Sequence, residues 1–97
     1  MNYASITGWG SYVPPLIMTN DDMSKIVDTS DEWIFSRSGI KRRHYAHVSV
    51  GKMAWLACER ALAAADLNAM DIDLVVLGCT SPEEYCPNTA SYIKNEL

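Results

Sequence analysis

Thr29, Trp33 and Arg37 are spaced four apart, so on a helix they share one face. The stripe offers a hydroxyl at its N-terminal end, then an indole platform, then a guanidinium one turn further on. An indole stacks a purine, and a guanidinium presents forked donors to phosphate. The set is therefore equipped to grip a nucleotide. The same spacing also suits a plainer arrangement, with Trp33 packed in a core and Arg37 in a surface ion pair, and on spacing alone both readings stand.

Other chemistry is sparser. The three cysteines, Cys58, Cys79 and Cys86, cannot all pair, and no CxxC occurs, so neither a disulfide frame nor a zinc ribbon is expected. None has a base and orienting partner nearby in sequence, so no catalytic residue is assigned. Cys58 falls on an apolar helix face and Cys79 ends an apolar run, which makes both structural. Cys86, between Tyr85 and Pro87, is either a thiol lining a pocket or a structural one. His44 and His47 lie on no convincing helix and read as surface side chains, so no metal is predicted. Gly8-Trp9-Gly10 is no dinucleotide loop, because Val13 occupies the third glycine's place and Pro14 and Pro15 follow where a helix should open.

A formal charge of −4 gives no general pull towards nucleic acid, so an anionic ligand must be held by local cations. The basic cluster Lys41 to His44 is too short for a nucleic-acid arm and suits a strand or turn edge. With 48% hydrophobic and 21% charged residues, the chain has the composition of a folded globular piece. No basic stretch followed by an apolar one opens it. The longest aliphatic run, Leu74 to Leu77, is far short of the ~20 residues that span a bilayer. No membrane partner is expected, and a reducing, cytoplasmic location fits the unpaired thiols.

The elements that must position these groups follow from local pattern. Tyr3 to Val13 is rich in β-formers and stops at Pro14-Pro15, predicting a first strand. Asn20, followed by Asp21 and Asp22, suits the start of a short helix running to about Val27. Thr29-Ser30-Asp31-Glu32 has the form of a capping box and Gly39 that of a stop, predicting a helix over Ser30 to Ser38. Ile40 to His47 is a candidate strand. Met53, Ala54, Ala57, Cys58, Ala61, Leu62 and Ala65 recur at helical spacing, predicting a helix over Ser49 to Ala65 whose small face lies tightly against a sheet or another helix. Leu74 to Gly78 is apolar on both faces and reads as a buried parallel strand. Pro87, Asn88 and Thr89 announce a last helix, which reaches Leu97 with an apolar face of Ala90, Ile93 and Leu97. With no further strand to cover it, that face predicts self-association. Together these elements make an α/β protein, a single incomplete domain over residues 1–97.

Several blocks carry a resemblance. Ile6-Thr7-Gly8-Trp9-Gly10-Ser11-Tyr12-Val13-Pro14, Thr19-Asn20, Val27-Asp28-Thr29-Ser30-Asp31-Glu32-Trp33-Ile34, Arg37-Ser38-Gly39-Ile40-Lys41-Arg42-Arg43 and Ile72-Asp73-Leu74-Val75-Val76 are similar to the N-terminal third of β-ketoacyl-acyl-carrier-protein synthase III. The resemblance implies the thiolase-like αβαβα layered fold and a Claisen condensation of an acyl-coenzyme A with malonyl-acyl-carrier protein, a first step of fatty acid synthesis. It implies coenzyme A thioester as substrate, no permanently bound cofactor, acyl carrier protein as partner, and a homodimer. It places Thr29, Trp33 and Arg37 at the mouth of the coenzyme A tunnel, with Trp33 stacked on the adenine. It also implies a Cys, His, Asn triad lying beyond this stretch, so the 97 residues alone are expected to be inactive. The loop carrying Cys86 and Pro87 would cross the dimer interface to floor the partner's acyl pocket. Relatives have a large apolar residue where Cys86 stands, so the smaller thiol implies room for a longer or branched acyl group. Two alternatives remain open: a sister condensing enzyme of secondary metabolism, and a stand-alone non-catalytic module that binds a nucleotide, coenzyme A or a protein.

Overall fold

The computed structural model describes residues 2–82 and 88–97. Two compact units divide the chain, one over Val13–His47 and the other over Met1–Tyr12 together with Val48–Leu97. The first holds β1 (Leu16–Thr19), α1 (Asn20–Ser24), α2 (Asp31–Ser38) and β2 (Arg42–Tyr45). The second holds α3 (Val50–Ala65), a 3-10 turn over Ala69–Asp71, and α4 (Thr89–Glu96).

In the Val13–His47 unit, β1 and β2 pair antiparallel, with Leu16 opposite Tyr45 and Thr19 opposite Arg42. Pro14 is buried ahead of β1, and its carbonyl lies 2.6 Å from Nδ1 of His44. A carbonyl only accepts, so that ring nitrogen carries the proton. The start of α1 differs from expectation. Thr19, not Asn20, is the cap: its hydroxyl accepts from the Asp22 amide at 3.2 Å, and the Asp22 carboxylate accepts from the Thr19 amide at 3.0 Å. That reciprocal pair meets two amides the helix leaves unpaired. It also holds the Asp22 carboxyl below its ordinary value, chiefly through the Thr19 backbone hydrogen bond. Asn20 is thereby freed from capping and turns inward, where it is 1% exposed.

The start of α2 is displaced in the same way. The cap is Ser30, whose hydroxyl accepts from the Trp33 amide at 3.2 Å, so the expected Thr29–Glu32 box is not what closes this helix. Its end is as expected. Gly39 takes the left-handed conformation at φ 72° and its amide returns to the Phe35 carbonyl at 2.8 Å, which a side chain would oppose.

In the other unit, Ser49 caps α3 by accepting from the Lys52 amide at 3.2 Å. Asp66 ends it at φ 56°, one of the few residue types that visits this region without glycine's freedom. The alanine face does permit a close approach. A Cβ added at Gly8 would lie 2.8 Å from the Ala61 carbonyl oxygen and 2.9 Å from Ala65 Cβ. One at Gly10 would lie 2.8 Å from Arg60 Cβ and closer still to the Ala57 carbonyl. Arg60 adds a 2.7 Å hydrogen bond to the Ser11 carbonyl and stands 5.5 Å from the Tyr12 ring.

The segment that meets that face at Gly8 and Gly10 is not the predicted strand: among the described residues Tyr3–Val13 carries no ladder, and Tyr3, Ile6 and Trp9 are more than four-fifths exposed. The predicted strand over Leu74 to Gly78 is likewise unpaired among the described residues. Val75 and Leu77 are half-buried while Leu74 and Val76 are 77% and 85% exposed, so only one face of the run is covered. Cys79, expected at the end of a buried strand, is exposed. The reason is general: apolarity reports what a segment could bury, but a strand exists only where a neighbour takes its backbone bonds. The last helix departs in the opposite sense. Ile93 is 1% exposed and α4 packs on α3, so the face expected to be open is covered and the reason for self-association falls away. Among the described residues no helix is long and apolar enough to cross a membrane.

Candidate functional site

The displaced cap of α2 decides the chemistry at its start. Ser30 satisfies the Trp33 amide, so the Thr29 hydroxyl is left over. Its oxygen is shielded from solvent yet has no hydrogen-bond partner among the described residues. Such a group costs ~1–3 kcal/mol unless something meets it. It borders an open pocket of about 330 Å³ lined by Asp28, Thr29, Ser30 and Trp33, at the lower end of the range for small-molecule sites.

Trp33 is 58% exposed, so within this chain it is not packed in a core. The Arg37 guanidinium carbon stands 5.6 Å from the Trp33 ring centroid, within cation–π range. Among the described residues the ion pair present is Lys25–Asp22 at 3.9 Å, and Arg37 has no carboxylate partner. Among the described residues, then, neither part of the plainer reading is seen. Thr29 and Trp33 meet at one pocket, and Arg37 extends the site by stacking on the indole rather than by lining the pocket. A further cation, Lys41, stands 5.3 Å from the Phe35 ring.

Asp28 and Ser30 belong to the pocket and were missed as site residues. Ser30 had a legible signal as a serine before an acidic first turn; Asp28 had none. Cys86 and Pro87 lie outside the described residues. Burial pushes the Cys58 thiol up, which keeps it protonated and a poor nucleophile.

No protein-family model matches the chain. It is 46% identical over 95 residues to β-ketoacyl-acyl-carrier-protein synthase III 2 of Vibrio vulnificus, covering 98% of this chain and 26% of that protein. It is 50% identical over 97 residues to β-ketoacyl-acyl-carrier-protein synthase III of Xanthomonas oryzae, covering 98% and 30%. Among solved structures, 3-oxoacyl-acyl-carrier-protein synthase III from Aquifex aeolicus superposes with a TM-score of 0.85 at 41% identity, over 94% of this chain and 30% of that one. The priming β-ketosynthase of a polyketide pathway superposes with a TM-score of 0.84 at 31% identity, over 94% and 28%. The chain thus spans under a third of the length of the curated relatives it matches. In sequence and backbone alike it is similar over nearly all its length to part of β-ketoacyl-acyl-carrier-protein synthase III, and its α/β fold is that of part of a thiolase-fold condensing enzyme.

Proposed function

We propose that this chain is part of one larger domain of a β-ketoacyl-acyl-carrier-protein synthase III, and that it forms one side of the entrance through which coenzyme A thioesters reach the catalytic centre. The whole enzyme would transfer an acyl group from coenzyme A and condense it with malonyl-acyl-carrier protein, as a cytoplasmic homodimer with no permanently bound cofactor. Acyl-coenzyme A and acyl carrier protein are its partners, and Cys86 and Pro87 would shape the acyl pocket.

The observation that carries this reading is the unmet Thr29 hydroxyl beside an exposed Trp33 that bears Arg37 on its ring. In this role Trp33 stacks the adenine, the guanidinium faces the phosphates, and the Thr29 hydroxyl takes a polar edge of the nucleotide. Each contact is to the part of the thioester that does not react, so its binding energy orients the acyl group rather than activates it. Trp33→Ala removes the stacking surface. It should weaken coenzyme A binding by about tenfold, as losing base–aromatic stacking does elsewhere, and calorimetric titration of the full chain with coenzyme A reads this directly. Unchanged affinity would overturn the reading.

A second reading is a sister condensing enzyme with another acceptor. It is favoured by the backbone shared with the polyketide priming ketosynthase and with a tetronic acid condensing enzyme at a TM-score of 0.81. Offering the enzyme malonyl-acyl-carrier protein as acceptor separates the two.

A further inference from the structure

Among the described residues two side chains are almost wholly buried: Ile93 in one unit and Asn20 in the other. A buried leucine or isoleucine is ordinary; a buried amide at the centre of a unit is not, and where all its bonds go is informative. The Asn20 side-chain amide nitrogen donates to Asp31 Oδ1 at 2.8 Å and to the Ile40 carbonyl at 2.7 Å. Its side-chain oxygen accepts from Arg43, whose guanidinium also donates to the carbonyls of Met18 at 3.3 Å and Thr19 at 3.4 Å. Its backbone amide donates to the Lys41 carbonyl at 3.2 Å. One side chain therefore ties the first turn of α2 and the segment after α2 to α1 directly, and reaches β1 and β2 through Arg43.

The helix gripped in this way is the one that carries the ligand stripe, and it has little else to hold it. No residue of α2 is buried, and Ile34 alone is half-covered. Apolar packing thus does little to fix how α2 is rotated or where it begins. The Asn20–Asp31 bond holds its first turn, next to Ser30 and Thr29, and the Asn20–Ile40 bond holds the chain just past its last residue. A helix pinned at both ends by one rigid amide cannot roll about its axis without breaking a part-buried hydrogen bond.

We propose that Asn20 is a positioning residue for the ligand face of α2, keeping Thr29, Trp33 and Arg37 in the disposition that receives coenzyme A. This rests on the coenzyme A reading above. Among the described residues Asn20 makes no hydrogen bond to a lining group of the pocket, and it acts through Asp31 and the Ile40 carbonyl.

Three variants test it, with coenzyme A as the probe in calorimetric titration of the full chain and the thermal midpoint measured alongside. Asn20→Asp keeps an oxygen for Arg43 but sets a second carboxylate against Asp31 and removes the donor to Ile40. It should weaken binding about tenfold or more, since a part-buried hydrogen bond is replaced by like-charge repulsion. Combining it with Asp31→Asn restores a donor–acceptor pair with its direction reversed. Affinity should return to within about threefold of the parent while the thermal midpoint stays lowered, because the Ile40 carbonyl remains unmet. A merely structural role predicts that affinity follows the midpoint instead. Asp31→Ala, which leaves the bonds from Asn20 to Ile40 and Arg43 intact, should weaken binding several-fold, and it decides the matter if the Asn20 variants do not fold. Parent-like affinity in Asp31→Ala, or no recovery in a folded double variant, overturns the proposal. If Trp33→Ala also binds as the parent does, the coenzyme A reading itself has failed; if Trp33→Ala loses binding and Asp31→Ala does not, only the role of Asn20 has.

Discussion

The two units are held by opposite means. Around α3, glycines and alanines let backbones meet almost without side chains between them, and Ile93 supplies the buried apolar group. Over Val13–His47 the buried centre is an amide, and Leu16, Ile17, Ile26 and Phe35 remain largely exposed. Close packing punishes any added atom but does little to fix orientation, because there is little direction in it. A hydrogen-bonded junction adds modest net stability and much orientation, since each bond is lost when its partner turns away. The unit that carries the Thr29, Trp33, Arg37 stripe is the one built for orientation.

Overpacking should break this contrast most sharply. Gly10→Ala places a methyl group into the Ala57 and Ala61 backbone, and should cost ~1–3 kcal/mol or more. Amide exchange should quicken along α3, with the β1–β2 pairing left as it was. Equal loss of protection in both places would mean the units do not open separately. A gentler change on the other side is Gly39→Ala. Open space surrounds that position, so nothing clashes, but φ 72° must be held by a residue with a Cβ. About 1 kcal/mol should be lost in denaturant unfolding, and a larger cost would mean that the end of α2 bears more on its surroundings than its backbone alone. The smallest effect concerns Asp22. Its carboxyl is lowered in the folded chain, so its contribution is present above the ordinary value of 3.8 and is lost as pH falls below that through the folded value. An acid unfolding series should therefore steepen below about pH 4, and Asp22→Asn should flatten that limb; an unchanged limb would show that the Thr19–Asp22 box contributes nothing there.

Local signals were legible where the cause is local. The limits of α2 at Ser38 and Gly39, the span of α3, and the small face that admits Gly8 and Gly10 all follow from neighbours within a turn or two along the chain. The N-terminal caps of α1 and α2 were legible to within one residue and no better, because Thr19 competes with Asn20, and Thr29 with Ser30, for similar bonds. That single residue mattered at both helices. One shift buried Asn20, and the other left the Thr29 hydroxyl without a partner. The β1–β2 ribbon was half seen, since Ile40 to His47 contained β2 while Leu16–Thr19, after Pro14-Pro15, was assigned to no element.

By itself, then, the amino-acid sequence determined which helices form and which side chains share the Thr29, Trp33, Arg37 face, because helical spacing and capping chemistry act over three or four residues. It also carried enough family pattern to be matched over nearly its whole length. Tertiary structure alone decided that Trp33 lies open with Arg37 on its ring, that Ile93 is covered, and that Asn20 joins α1, α2 and β2. Those outcomes depend on groups 11 to 23 residues apart in the case of Asn20, and the bond each polar group makes is set by which competing partner the fold brings within 3 Å.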